Sequence, residues 1–367
     1  MVHHLPNLVA SSRRSAIVRL ASSTTLILEN RHPQRHLSPL RRAISSQASK
    51  TADQPFRPGA TLRGQSGRIY SIQEILAEGR KPLLCVYRAS AEGQDFIIKN
   101  MIPGEYEYQQ DLQKPLAPCP NLRTVVDGLP GPELFIYPFL ETDFLQFSQK
   151  KLSNTTRRDM LRSALVGIAA LHDKNIIHTD IKPNSILLDY EKSNDMFSIK
   201  RVQISDLEDA VILPPGKYLR EALCGNQMWR SPESWARAAQ VTPSDMFSFG
   251  IVSIYVMLND MVLRASDDEL AADDSWRYVL RRHISFFGEE EGFKGLLQWI
   301  GESNPFFERL VVLAGSFNSA NPRKPFEKWY FVDAQFRDLV CRMTTLDPAK
   351  RITAREALQH PWFAQVD

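Results

Sequence analysis

Apolar residues change their period part-way along this chain. Leu83-Leu84-Cys85-Val86-Tyr87 and Phe96-Ile97-Ile98 are short apolar runs separated by Ala91-Glu92-Gly93-Gln94, which predicts two strands joined by a hairpin. A third run, Leu134-Phe135-Ile136-Tyr137, ends at Pro138 and predicts another strand. After about residue 150 the spacing turns helical, with Leu161, Leu165, Ile168 and Leu171 forming one apolar stripe between Thr156 and His172. The pattern predicts an α+β, bilobal fold with a small β-rich N-lobe and a larger, mostly helical C-lobe. Residues 51–66, with Pro55, Pro58, Gly59 and Gly64, read as linker, so the folded domain is expected over 68–363, N-lobe 68–140 and C-lobe 141–363.

Composition narrows the function classes. A chain of 367 residues, 43% hydrophobic, can bury one large core or two smaller ones. The longest apolar run, Phe249 to Leu258, is about half a membrane span, so no transmembrane segment is expected. Four widely spaced cysteines form no C-x-x-C pair, which argues against a zinc knuckle or disulfide scaffold and for a reducing intracellular compartment, cytoplasmic or nuclear. Net charge is +3, but residues 1–50 hold 8 of the 45 basic groups and one of the 42 acidic ones, Glu29. The remainder is mildly acidic and lacks the basic stripe of a nucleic-acid surface. The Ser/Arg-rich arm of residues 1–67 has a composition shared by mitochondrial transit peptides and by disordered basic tails, and both readings stay open.

Candidate chemistry lies in three segments. In Ile176 to Leu188, Asp180 precedes Lys182 by two residues, between an amphipathic helix and a short apolar strand. Such a carboxylate can take a hydroxyl proton while the ammonium neutralises a phosphate oxygen. Val202 to Glu208 reads as a buried strand delivering Asp206 at its end, where a divalent cation could be held. Lys99 follows three apolar residues, a place that calls for a phosphate or carboxylate partner.

Taken in order, these segments resemble a eukaryotic protein kinase from about Arg68 to Phe363. Phe96-Ile97-Ile98-Lys99 is similar to the V-A-I-K strand, His178-Thr179-Asp180-Ile181-Lys182 to the catalytic H-R-D-L-K loop, and Asp206-Leu207-Glu208 to D-F-G. Ser231-Pro232-Glu233 resembles A-P-E, Ser244 to Gly250 the S-D-x-W-S-x-G helix, and Leu346 to Phe363 the closing D-P-x-x-R-x-T and H-P-W-F segments. The resemblance implies transfer of the ATP γ-phosphate to Ser or Thr hydroxyls of a protein substrate, with Asp180 as proton acceptor and Lys182 stabilising the phosphoryl group. It implies Mg2+ or Mn2+ held by Asp206 and Ser185, phosphates gripped by Lys99, and Glu107 as the helix partner of that lysine. Glu105 is the alternative partner, and Gln109 fits the register about as well. Val86 and Leu187 would flank the adenine, Pro138, Phe139 and Leu140 would form the hinge, Tyr137 the gatekeeper and Gly79 the first glycine of the phosphate lid. Asp245, Glu233 and Arg351 would be structural, the last two as a partly buried ion pair.

The departures cluster at the nucleotide. Lys81 and Leu84 stand where the lid has glycines, which predicts a looser or differently shaped loop. Ile97 replaces an alanine over the adenine, Ser185 an asparagine on the second metal, and Glu208 a glycine. Thr179 replaces the arginine that grips a phosphorylated activation loop, so a constitutive or partner-set state is expected. These changes motivate an alternative function, a pseudokinase that binds regulatory partners as a scaffold. Residues 264–325 carry no readable motif and are expected to be helices of the large lobe with a surface insertion.

Overall fold

The computed structural model describes residues 54–80, 82–194 and 196–364. The bulk of the basic arm, and both readings of it, lie outside them. The chain divides into two compact units: one runs to Asp111 and takes in Val125–Phe139, the other comprises Leu112–Thr124 and everything from Leu140. The first is β-rich and the second largely helical, the expected α+β class.

The first unit is an antiparallel sheet in the order β1-β2-β3-β4-β6-β5, built from β1 (Thr61–Arg63), β2 (Ile69–Arg80), β3 (Leu83–Ala91), β4 (Gln94–Asn100), β5 (Asp127–Leu129) and β6 (Leu134–Pro138). The expected hairpin is β3–β4, closed where Ala91 pairs with Gln94 around Glu92 and Gly93, whose φ values of 52° and 76° suit a two-residue turn. Alternation sorts the side chains by face. Phe96 and Ile98 of β4 join Leu134 and Ile136 of β6 in one core, whereas Ile97 joins Phe135 and Tyr137 in the other.

Within the segment read as linker, residues 61–63 form a strand. β1 pairs with β2, and its following turn is fastened to β5: Asp127 accepts from the Ser66 N–H at 3.1 Å and the Tyr70 hydroxyl at 3.0 Å. Burial pushes the Asp127 carboxyl up, but these donors outweigh it and leave the group below its ordinary pKa. One helix, α1 (Tyr106–Gln113), follows β4 in sequence.

The second unit opens with β7 (Thr142–Asp143), the short helix α2 (Phe144–Phe147) and α3 (Asn154–His172). Ser153 caps α3 by accepting from the Thr156 N–H at 3.0 Å. The predicted stripe is buried, with Leu161, Leu165, Ile168 and Leu171 all at 0% exposure. A Cβ on Gly167 would lie 2.5 Å from the Asn121 carbonyl oxygen and 2.9 Å from Ile204 Cγ1, so α3 touches both segments only because that residue is glycine. Next come β8 (Ile176–Ile177), the hairpin β9 (Ile186–Ser193) and β10 (Met196–Ile204), and β11 (Val211–Ile212). β10, β9 and β7 form a three-stranded sheet, β11 and β8 a two-stranded one.

Helices then dominate: α4 (Pro232–Trp235), α5 (Thr242–Leu258), α6 (Asp267–Ala271), α7 (Ser275–Phe287), α8 (Glu290–Ile300), α9 (Phe306–Gly315), α10 (Ala334–Thr344) and α11 (Ala354–Leu358). The apolar run over 249–258 lies in α5, which is buried from Asp245 to Val256. Each of Phe247, Phe249, Ile254 and Val256, fully buried there, contributes about 1.5–3 kcal/mol. Residues 264–325 fold mainly as α6 to α9, with Phe287 buried against Phe326. No helix of the described residues is long and apolar enough to cross a membrane.

Candidate active site

The site begins with a buried carboxylate. Asp245, in the first turn of α5, accepts from the backbone N–H of His178 at 2.8 Å and of Thr179 at 3.0 Å, and lies 3.0 Å from His172 Nε2. Burial alone would raise its pKa, but the hydrogen bond and charge of His172, with His178, hold the group below the usual carboxylate range. The loop after β8 is therefore braced from beneath by Asp245. His178 extends the brace: its Nδ1 accepts from the Asp180 N–H at 3.2 Å, so Nε2–H is free to donate to the Ser205 carbonyl at 2.7 Å. Ser205 immediately precedes Asp206. One histidine thus sets the spacing between the two aspartates picked out by sequence.

Asp180 and Lys182 meet directly, with Nζ 2.5 Å from Oδ2 and both side chains under a tenth exposed. The other carboxylate oxygen of Asp180 accepts from the Asn226 N–H at 2.8 Å. Burial works against the charge of Lys182, yet Asp180, then Asp206 and Asp209, outweigh it and raise its pKa. Lys182 is therefore an ammonium set among carboxylates. Thr179, in the left-handed region at φ 71°, donates its hydroxyl to the Asp209 carbonyl at 3.1 Å and ties this loop to the segment after Asp206.

Ser185 lies inside the loop that carries Asp180 and Lys182. The residue is fully buried, and its hydroxyl accepts from the Lys182 N–H at 3.1 Å while facing the Lys182 and Asp180 carbonyls at 2.9 and 3.1 Å. That oxygen closes the catalytic loop. Asn184 Nδ2 donates to Asp143 Oδ2 at 3.2 Å, which leaves the amide oxygen of Asn184 as the harder donor for a cation. Burial raises the Asp143 pKa and the charge of Asp206 adds to it, so a divalent cation would relieve both carboxylates. Among the described residues no cluster of three or more His, Cys, Asp or Glu side chains forms a metal cage. Magnesium held by one or two carboxylates and the nucleotide's own phosphates requires none, so Asp206 with Asn184 fits. Asp206 itself is left-handed, at φ 59° and ψ 45°, a conformation aspartate tolerates better than most residues.

On the first unit, Val86 pairs with Lys99 across β3 and β4, and Val86, Ile97, Tyr137 and Phe139 share one apolar cluster. Lys99 Nζ lies 5.6 Å from the Tyr137 ring centre. Gly79 pairs with Leu84 and Arg80 with Leu83 across β2 and β3. Glu107 is exposed on α1, and Gln109 is the candidate that turns inward, at 3% exposure. The phase of α1 points the Glu107 carboxylate to solvent. Phe139 donates its N–H to the Asp95 carbonyl at 3.3 Å. On the second unit, Leu140 is buried and Leu187 half-buried, opposite Asp143 in the β7–β9 ladder.

The Glu233–Arg351 pair is fully buried, not partly, with oxygen–nitrogen distances of 2.5 and 2.8 Å. Arg351 also donates to the carbonyls of Thr345, Pro243 and Leu346, so its fork is saturated. Burial would raise the Glu233 pKa, but Arg351 overrides it and lowers it. Sequence reasoning missed His172, Asn226 and the Ser205 carbonyl, since backbone groups and turn residues carry no motif of their own.

The family model described as Protein kinase domain matches residues 134–363. That span includes the catalytic loop, Asp206, Glu233 and Asp245, and leaves Gly79, Val86 and Lys99 outside. The phosphorylase b kinase gamma catalytic chain, liver/testis isoform, of Bos taurus is 24% identical over 329 residues, 81% of this chain and 67% of that one. This chain thus spans about two thirds of that relative's length. A probable serine/threonine-protein kinase of Saccharomyces cerevisiae is 27% identical over 248 residues, 67% of this chain and 12% of that one. In fold, a chain from the crystal structure of the yeast RNA Pol II CTD kinase complex matches with a TM-score of 0.60 at 17% identity, covering 77% of this chain and 90% of that one. With a family match over more than half its length, on the segments that build the braced loop, the chain belongs to the protein kinase family.

Proposed function

We propose that this chain transfers the γ-phosphate of ATP to serine or threonine hydroxyls of protein substrates, with Asp180 as proton acceptor. The observation that carries the reading is the Asp180–Lys182 contact, held between the Asn226 N–H on one side and the Ser185-closed loop on the other. A carboxylate fixed this way can receive the hydroxyl proton as the oxygen attacks phosphorus. The ammonium beside it offsets charge developing on the transferred group. Magnesium, when bound, would neutralise the phosphates; Asp206 and Asn184 are the residues assigned to hold it.

On the first unit, Lys99 is assigned to the α and β phosphates, and Val86, Tyr137, Pro138 and Phe139 to adenine; Leu140 and Leu187, on the second unit, carry the same assignment from the motif alone. These assignments rest on motif position and residue chemistry. The test is mass spectrometry of a protein and peptide panel incubated with the purified chain, ATP and magnesium or manganese. Phosphoserine or phosphothreonine is expected. Nucleotide binding with no phosphorylated product across the panel would instead favour the scaffold reading.

A further inference from the structure

Arg230 sits in unusual surroundings. It is buried, at 8% exposure, with its guanidinium carbon 4.7 Å from the centre of the Trp235 ring. One terminal nitrogen, Nη2, donates to the Gly225 carbonyl. Its Nε and Nη1 find no hydrogen-bond partner among the described residues. A buried guanidinium served by a single hydrogen bond is costly and calls for an explanation.

The peptide unit it touches supplies one. The carbonyl of the Gly225–Asn226 peptide accepts from Arg230, and the N–H of that same peptide donates to Asp180 Oδ1 at 2.8 Å. A cation and a carboxylate therefore face each other through one amide, whose two hydrogen bonds polarise and strengthen one another. The turn depends on Gly225, at φ 79°, since a Cβ there would stand 2.8 Å from the Thr179 carbonyl oxygen. Asn226 closes the ring by accepting on its own carbonyl from the Arg230 N–H at 2.9 Å.

We propose that Arg230 is a positioning residue for phosphoryl transfer: through the Gly225–Asn226 peptide it fixes the orientation of the Asp180 carboxylate that accepts the substrate proton. The inference rests on the reading of Asp180 given above. Lys182 holds Oδ2 and the Asn226 amide holds Oδ1, so loss of Arg230 frees one of the two restraints.

The test compares Arg230→Met and Arg230→Lys with wild type in steady-state kinetics, thermal unfolding and the NMR shift of the Asn226 amide proton. Arg230→Met is expected to lower kcat by about 10- to 100-fold with KM for ATP unchanged. Its melting temperature should hold or rise, because the unpaired donors are gone. The Asn226 amide proton should move upfield, and Arg230→Lys should restore part of both kcat and the shift. An unchanged kcat in a folded Arg230→Met would overturn the proposal, as would a fall in kcat and melting temperature together with an unmoved Asn226 resonance. The amide shift needs no turnover. If wild type transferred no phosphate, failing the reading of Asp180, matching amide shifts in Arg230→Met and Asp180→Asn would still support the coupling, and an unmoved resonance in Arg230→Met would reject it.

Discussion

Acidification should destabilise the helical unit through one histidine outside the active site. His283, in α7, is fully buried with its ring 5.0 Å from that of Phe247, and neither ring nitrogen has a hydrogen-bond partner among the described residues. Burial, and then the nearby Arg351 charge, push its pKa from 6.5 down to about 3. The folded state therefore keeps this ring neutral where the unfolded chain binds a proton. Stability is complete above the unfolded pKa, is lost as pH falls below it, and the loss levels off near the folded value. Across the whole window that amounts to about 5 kcal/mol, and between about pH 7.5 and pH 5 to about 2 kcal/mol. The assay is urea unfolding followed by tryptophan fluorescence over that pH range, for wild type and for His283→Leu, a swap of similar volume. Other buried groups, Asp245 and Glu233 included, titrate in both proteins, so the difference between the two profiles isolates His283. The wild-type curve should fall more steeply by about 2 kcal/mol. Parallel curves would show that the ring reaches water or a partner and would refute the reasoning.

Ser185→Ala should cost about 1–3 kcal/mol in urea unfolding, since it strands the Lys182 N–H, and should leave Mg-ATP affinity by calorimetry unchanged; lost metal binding with full stability would restore Ser185 as a ligand. Glu233→Gln and Arg351→Met should each cost about 3–5 kcal/mol, with the double variant less harmful than the sum, as measured in a double-mutant cycle. Additive losses would mean that the two do not act as a pair. Glu107→Ala should change stability by no more than about 0.5 kcal/mol and leave KM for ATP alone, as suits an exposed side chain; a large rise in KM would return Glu107 to the nucleotide site.

Legibility in the sequence followed locality. The β3–β4 hairpin and α3 were readable because their apolar period and turn residues lie within a few positions of one another. β1 was not, because a three-residue strand with only Leu62 buried leaves no periodic signal, and it is held by Asp127, some sixty residues on. Leu112–Thr124 belongs with the second unit through contacts such as the Leu122–Ile204 bridge, which no local pattern encodes. In the site, the catalytic loop and Asp245 were legible as motifs. What Ser185 does depends on the turn it closes, and which of Glu105, Glu107 and Gln109 faces inward depends on where α1 starts, neither of which residue types alone determine.

Asp180 is the proposed acceptor of the proton from the hydroxyl being phosphorylated. Single-turnover transfer of labelled phosphate from ATP by wild type and by Asp180→Asn, with equal folding confirmed by circular dichroism, tests it most directly. Wild type should transfer phosphate, and the variant should lose about 100-fold or more. Equal rates in the two proteins would contradict it.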